Sequence, residues 1–321
     1  MLRHIPQLRH LQSLSIKGIS RFDAATLVGM TQLLCLLLTE VPVDAAALGS
    51  MPHLQELVLD KCHTEAPAAS AVAAIGQLSA LKVLKVLQWR PANGYGSLFD
   101  GAPLNAFSAL TASSQLQRLH VDCIGEHGYR SSVPDSAVAH MFPPGRLLQH
   151  LVFLQIGPDK PNYHRRHCDD TSNNGMSNKD SQCMASSCPA LQSLHLKGSL
   201  KAGQALDALL QLSECRSLSI GGSDDEWSNA AAAVVAQMTQ LTHLSCLCSK
   251  GFNGLGLQLL TALTNLQRLE IAPMFCDGYS GGQDCLMEMD LQVTLDTEYC
   301  HLTVLDTQVG KGLVCKRNHG A

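Results

Sequence analysis

The chain has 321 residues, of which 45% are hydrophobic and only 16% charged, with a formal net charge of −4 and a pI near 6.4. That balance argues against a nucleic-acid binder, whose footprint is clustered Lys and Arg. The apolar fraction suffices for a continuous core, while the charged fraction lies below the roughly 25% of an average soluble domain.

The N-terminal stretch MLRHIPQLRHLQSLSI carries basic residues but no long apolar run and no small-residue cleavage site, so it does not read as a signal peptide. No segment approaches the ~18 uninterrupted apolar residues of a membrane span. No Asn is followed at the second position by Ser or Thr, so there is no glycosylation sequon. The 13 Cys are odd in number and scattered. Together these features predict a reducing, cytoplasmic setting in which Cys serves as a small buried hydrophobe.

One phrase organises everything that follows: Leu-x-x-Leu-x-(Leu/Ile/Val). In chain order it occurs as Leu11-Leu14-Ile16, Leu33-Leu36-Leu38, Leu54-Leu57-Leu59, Leu81-Leu84-Val86 and Leu116-Leu119-Val121. It continues as Leu151-Leu154-Ile156, Leu191-Leu194-Leu196, Cys215-Leu218-Ile220, Leu241-Leu244-Cys246, Leu266-Leu269-Ile271 and Leu302-Leu305-Thr307. The shorter steps between copies are 21–27 residues and the longer ones 35–40, so the longer ones contain insertions. These fall near 88–106, 125–145, 157–189 and 273–300. Within each copy the second and third apolar positions are two apart and share one face of a short strand, and the residue between them points the other way. Ala/Leu-rich runs between the phrases predict helices: Phe22–Leu27, Val43–Leu48, Gly203–Leu210 and Ser228–Met238. Asp23, Asp44 and Asp135 precede such runs and suit N-caps.

The phrase followed by a short helix resembles the leucine-rich repeat superfamily, in its intracellular, ribonuclease-inhibitor-like form. The resemblance covers roughly residues 5–310. It implies an α/β solenoid, a horseshoe with a concave parallel sheet and convex helices, as a single domain over 1–321 of about eleven units. Cys62, three residues after the last Leu of its copy, is similar to cysteine-containing repeats of F-box-associated proteins. The other copies put Ile19, Val41, Ile124, Ser199, Ser223, Ser249 or Met274 there, and the Asn common in this superfamily is absent. No polar terminal cap is visible, which fits either a fragment of a longer product or an end covered by Met1–Leu8.

Motifs for chemistry are sparse. Gly310-Lys311 lacks the rest of a phosphate loop, and Gly254-Leu-Gly256 lacks a third Gly. Neither a Gly-x-Ser-x-Gly elbow nor His-Glu-x-x-His occurs. His164, His167, Cys168, Cys183 and Cys188 are enough N and S ligands for tetrahedral zinc, but their spacing fits no standard pair. A polar loop with incidental His and Cys is the competing reading, as is placement of Cys183 and Cys188 on the next helix. Cys246 and Cys248 read as core replacements. Asp224-Asp225-Glu226-Trp227 reads as an acidic helix start.

The outward strand positions form columns across the stacked sheet. Leu37, Val58, Val83 and Leu87, with Trp89 just beyond, are expected to be exposed apolar residues, and Lys85 lies among them. Arg118, His120, Asp122, His195 and Lys197 are expected to form a polar cluster. These eleven residues are the candidate partner-binding surface. The expected function is a non-enzymatic scaffold that binds a protein, with no cofactor, metal, nucleic acid, membrane or small-molecule substrate. The resemblance implies three settings: a substrate receptor of an F-box-type ubiquitin ligase, a signalling scaffold, or a structural protein of the cytoskeleton such as the ciliary axoneme. A GTPase-activating protein is a further alternative, disfavoured by the irregular repeats and the missing Asn. A receptor ectodomain is disfavoured by the missing sequons and signal peptide.

Overall fold

A computed structural model describes residues 10–19, 24–27, 29–91, 102–122, 137–157, 176–197, 204–221, 227–248, 254–273, 300–307 and 310–317. The chain divides into two compact units, the first formed by residues 1–159 and 179–191, the second by 160–178 and 192–321.

In the first unit six strands pair side by side, all parallel: β1 (Ser13–Lys17), β2 (Cys35–Thr39), β3 (Glu56–Asp60), β5 (Val83–Leu87), β7 (Arg118–Asp122) and β8 (Phe153–Ile156). Each repeat phrase supplies one strand, and pairing is in phase with the phrase: Leu36 lies opposite Leu57, Leu57 opposite Leu84, and Leu84 opposite Leu119. That register is forced, because a slip by one residue would turn every apolar side chain to the other face. Leu36, Leu38, Leu57, Leu59, Leu84, Val86, Leu119, Val121 and Leu154 are fully buried.

The opposite layer is built from short helices: α1 (Ala45–Gly49), α2 (Ala68–Ile75), a 3-10 segment (Leu104–Thr111), α3 (Ala137–Met141) and α4 (Asn178–Ser187). Small side chains let this layer close up. Gly76 follows α2, and a Cβ there would lie 2.9 Å from the Cβ of Ala109 on the 3-10 segment, so only Gly fits. The carboxylate of Asp44 caps α1 by accepting from the amides of Ala46 and Ala47 at 2.9 and 3.4 Å. Asp44→Ala should cost about 1 kcal/mol, the usual value of such a cap, read as a small drop in melting temperature with the fold retained. Asp23 and Asp135 lie outside the described residues. Asp180 of α4 plays an inter-helix version of the same role: although 1% exposed, its carboxylate accepts from the Ala139 amide at 2.8 Å.

The strand-to-helix turns solve the missing-Asn problem by backbone geometry. Gly18, Glu40, Lys61 and Gln88 each follow a strand with φ of +67°, +55°, +51° and +51°. Their amides donate to the last strand residue of the next repeat, at Thr39, Asp60, Leu87 and Asp122 respectively. This left-handed residue changes the direction of the chain, so the following side chain drops into the core: Val41 and Cys62 are fully buried and Trp89 is 1% exposed. The Cys62 thiol then donates to the Leu38 carbonyl one repeat back, at 3.3 Å. Burial pushes that thiol up to about 11, so it stays a protonated donor. Beyond these turns β4 (His63–Thr64) pairs with β6 (Arg90–Pro91) in a small second sheet, and Pro42 bridges to His63.

The second unit repeats the plan with β9 (Ser193–Lys197), β10 (Ser217–Gly221), β11 (His243–Cys248) and β12 (Arg268–Pro273), again parallel. Its helices are α5 (Gln204–Asp207), continued by a 3-10 turn (Ala208–Gln211), α6 (Asn229–Val235) and α7 (Gly254–Leu260). Leu194, Leu209, Leu212, Cys215, Leu241 and Trp227 carry its core.

The eleventh phrase departs from expectation. It falls on β13 (Cys300–Thr307), which pairs antiparallel with β14 (Gly310–Arg317), itself antiparallel to β12. Only two residues separate β13 from β14. Such a connection closes a hairpin, whereas a parallel repeat needs a crossover of a dozen residues or more. The described parallel repeat strands therefore number ten. Among the described residues no helix is long and apolar enough to cross a membrane.

Candidate functional site

The face of the first-unit sheet turned away from the helices carries three in-register rows. The first reads Ser13, Cys35, Glu56, Val83, Arg118, Phe153. The second reads Ser15, Leu37, Val58, Lys85, His120, Gln155, and the third Lys17, Thr39, Asp60, Leu87, Asp122. Strand alternation alone dictates these rows.

Where β5, β7 and β8 meet, the rows enclose a hollow of about 140 Å³ lined by Lys85, Leu87, Arg118, His120, Phe153 and Gln155. That is well below the roughly 300–1,000 Å³ of a ligand pocket, so it fits one side chain rather than a cofactor. The Arg118 guanidinium lies over the Phe153 ring, 5.0 Å from its centroid. A stacked cation of this kind gains roughly 0.5–1 kcal/mol when exposed and fixes the guanidinium plane. His120 is 4% exposed, and its Nε2 donates to the Gly157 carbonyl at 3.2 Å. A carbonyl can only accept, so Nε2 carries a proton. Gly157 makes this approach with φ of +102°, a conformation suited to Gly.

The structure brings four of the eleven expected residues into this hollow: Lys85, Leu87, Arg118 and His120. Asp122 is on the same face beside Leu87 but is 4% exposed. Leu37 is exposed at 38%, and Val83 is half-buried. Two expectations of exposure are corrected. Val58 faces the right way but is only 7% exposed, between Leu37 and Lys85 in the same row. Trp89 is not on this face at all: the left-handed residue Gln88 ends the alternation, and Trp89 enters the core. His195 and Lys197 lie on β9 in the second unit, where the Ser193 hydroxyl and His195 Nε2 are 2.9 Å apart. Phe153 and Gln155 also line the hollow and were not among the expected residues, although the rows place them directly beside Arg118 and His120.

Reactive groups are scarce. Cys35 borders Glu56 on the same face, and its thiol is raised by burial and by that carboxylate. Burial pushes Cys188 and Cys215 up to about 12, which makes them poor nucleophiles. Cys183 lies on α4 and Cys188 just after it, while His164, His167 and Cys168 lie outside the described residues. Among the described residues no cluster of three His, Cys, Asp or Glu suits a metal.

No family profile and no curated protein matches the chain. Solved structures do. An internalin of Listeria monocytogenes is 17% identical, matching 87% of this chain and 65% of its own with a TM-score of 0.51. This chain thus spans about 65% of that protein's length. An internalin C2 of the same organism is 16% identical over 81% of this chain and 80% of its own, with a TM-score of 0.42. A leucine-rich repeat protein of Leptospira interrogans is 15% identical over 85% and 75%, with a TM-score of 0.34. The likeness to the first internalin and the strand-by-strand match of phrase to parallel sheet agree: the chain folds as an α/β leucine-rich repeat solenoid.

Proposed function

We propose that the chain is a non-enzymatic scaffold that binds a protein partner through the helix-free face of its first unit, the face the repeat fold makes concave. The hollow between Lys85, Leu87, Arg118 and Phe153 carries this reading, because it joins an aromatic, a stacked cation and aliphatic groups at one accessible place. Interfaces draw their energy from such Arg and aromatic anchors. Burial holds the Cys188 and Cys215 thiols protonated, so neither is an activated nucleophile.

Capture of partners from native extract tests the reading with three chains. Val83→Asp/Leu87→Asp alters two half-buried residues of the face. Leu147→Asp alters a 49% exposed residue away from it and serves as the control. Partners held by the unaltered chain and by Leu147→Asp should fall about tenfold or more with the double variant, the effect of losing one anchor of ~1.4 kcal/mol or more. Partners kept by the double variant and lost with Leu147→Asp would refute the assignment.

A further inference from the structure

Resting on that binding reading, we infer that the hollow recognises a carboxylate side chain, Asp or Glu, set beside an apolar residue in an acidic peptide segment of the partner. Lys85 and Arg118 stand at the hollow, and none of its six lining residues is acidic. The ion pairs formed among the described residues, Lys61 with Glu40 and Arg268 with Glu270, involve neither. None of the surrounding carboxylates lines the hollow. Glu56 lies opposite Val83 and against Cys35, and Asp60 and Asp122 lie opposite Leu87 on either side, Asp122 being 4% exposed. Among the described residues, neither of the two cations about this small cavity has a carboxylate ion-pair partner.

Their different surroundings divide the work. Arg118 lies over the Phe153 ring and is exposed, and a guanidinium can offer its N–H fork to a bidentate carboxylate. Lys85 is half-buried and also lines the hollow, where its ammonium supplies a point charge. His120 is already committed to the Gly157 carbonyl, so it shapes the floor. Leu87 lines the hollow and Val83 lies beside it on β5, which gives the apolar neighbour of the carboxylate a place to pack. Two cations are too few for a nucleic-acid track on a chain of net charge −4. The hollow of about 140 Å³ has room for a carboxylate side chain.

The test is selection of a random displayed peptide library on the full chain and on Lys85→Glu/Arg118→Glu. The unaltered chain should enrich peptides with Asp or Glu next to an apolar residue, and the charge-reversed chain should enrich Lys or Arg there instead. Replacing the enriched acidic residue by Gln or Asn should weaken binding about tenfold or more, the loss of one charge-assisted hydrogen bond. A thermal melt checks folding of the reversed chain, and Lys85→Gln/Arg118→Gln substitutes for it if it fails, with loss of the acidic preference expected. Peptides enriched without acidic residues, or identical from both chains, would overturn the carboxylate assignment and leave peptide binding standing. Stronger binding when phosphoserine replaces the acidic residue would also overturn it. No enrichment by the unaltered chain would overturn both the inference and the binding reading.

Discussion

Leu194→Asp should unfold the repeats around β9, whereas His195→Asp, one residue along, should leave them folded. Leu194 has no exposed surface and lies opposite Leu218 of β10, so the new carboxylate would sit in the apolar layer. Burying it costs several kcal/mol, against a total stability of about 5–15 kcal/mol for a typical domain. Repeat stability is a sum of unit and neighbour terms, so loss of one central unit also removes the support of the next. His195 points to the other face, half-buried beside the Ser193 hydroxyl, and a charge there remains in water. The second unit carries its own reporter, because Trp227 is 1% exposed. Its emission should shift to the red in Leu194→Asp without denaturant, and the urea midpoint of His195→Asp should stay close to that of the unaltered chain. Equal midpoints for the two variants would refute the register.

Trp89→Ala should be the most damaging single truncation in the first unit, at roughly 3–5 kcal/mol, the range for removing a large buried aromatic. The residue is 1% exposed and is the largest fully buried side chain near the turn after β5. Its indole N–H has no hydrogen-bond partner among the described residues. Trp89→Phe should therefore cost much less, because it keeps most of the ring and removes an unsatisfied donor. Leu37→Ala, on the open face at 38% exposure, should cost little. Chemical denaturation of the three variants checks the order. If Trp89→Ala proved no worse than Leu37→Ala, Trp89 would belong on the surface after all.

These two residues show which parts of the structure were legible in the sequence. Leu194 and His195 follow from period-2 alternation within a strand, and every described repeat strand obeys it, down to the register of Leu36, Leu57, Leu84 and Leu119. Trp89 was misplaced because the same alternation was carried one residue too far. Gln88 adopts φ of +51° and inverts the phase, yet nothing in a Gln marks a left-handed position as Gly18 does in the first repeat. A column comparison would have found it, since Trp89 aligns with Val41 and Cys62, three residues after the last strand Leu or Val. The eleventh phrase misled for another reason: Leu302 and Leu305 satisfy the spacing, but the partner strand that makes a hairpin lies after them in the chain. The lining of the hollow was legible in part. Arg118 and His120 stand out by their polarity in an apolar chain and do line the hollow, and Phe153 and Gln155, which line it too, follow only from their place beside them in the rows.

Site-specific photocrosslinking tests the central claim most directly. A benzophenone amino acid replaces Leu87 at the hollow in one chain and Leu147, 49% exposed and outside the hollow, in another. Irradiation in native extract should yield discrete protein adducts from position 87 and none from position 147. Adducts from position 147 with none from position 87 would contradict the account and move recognition off this face.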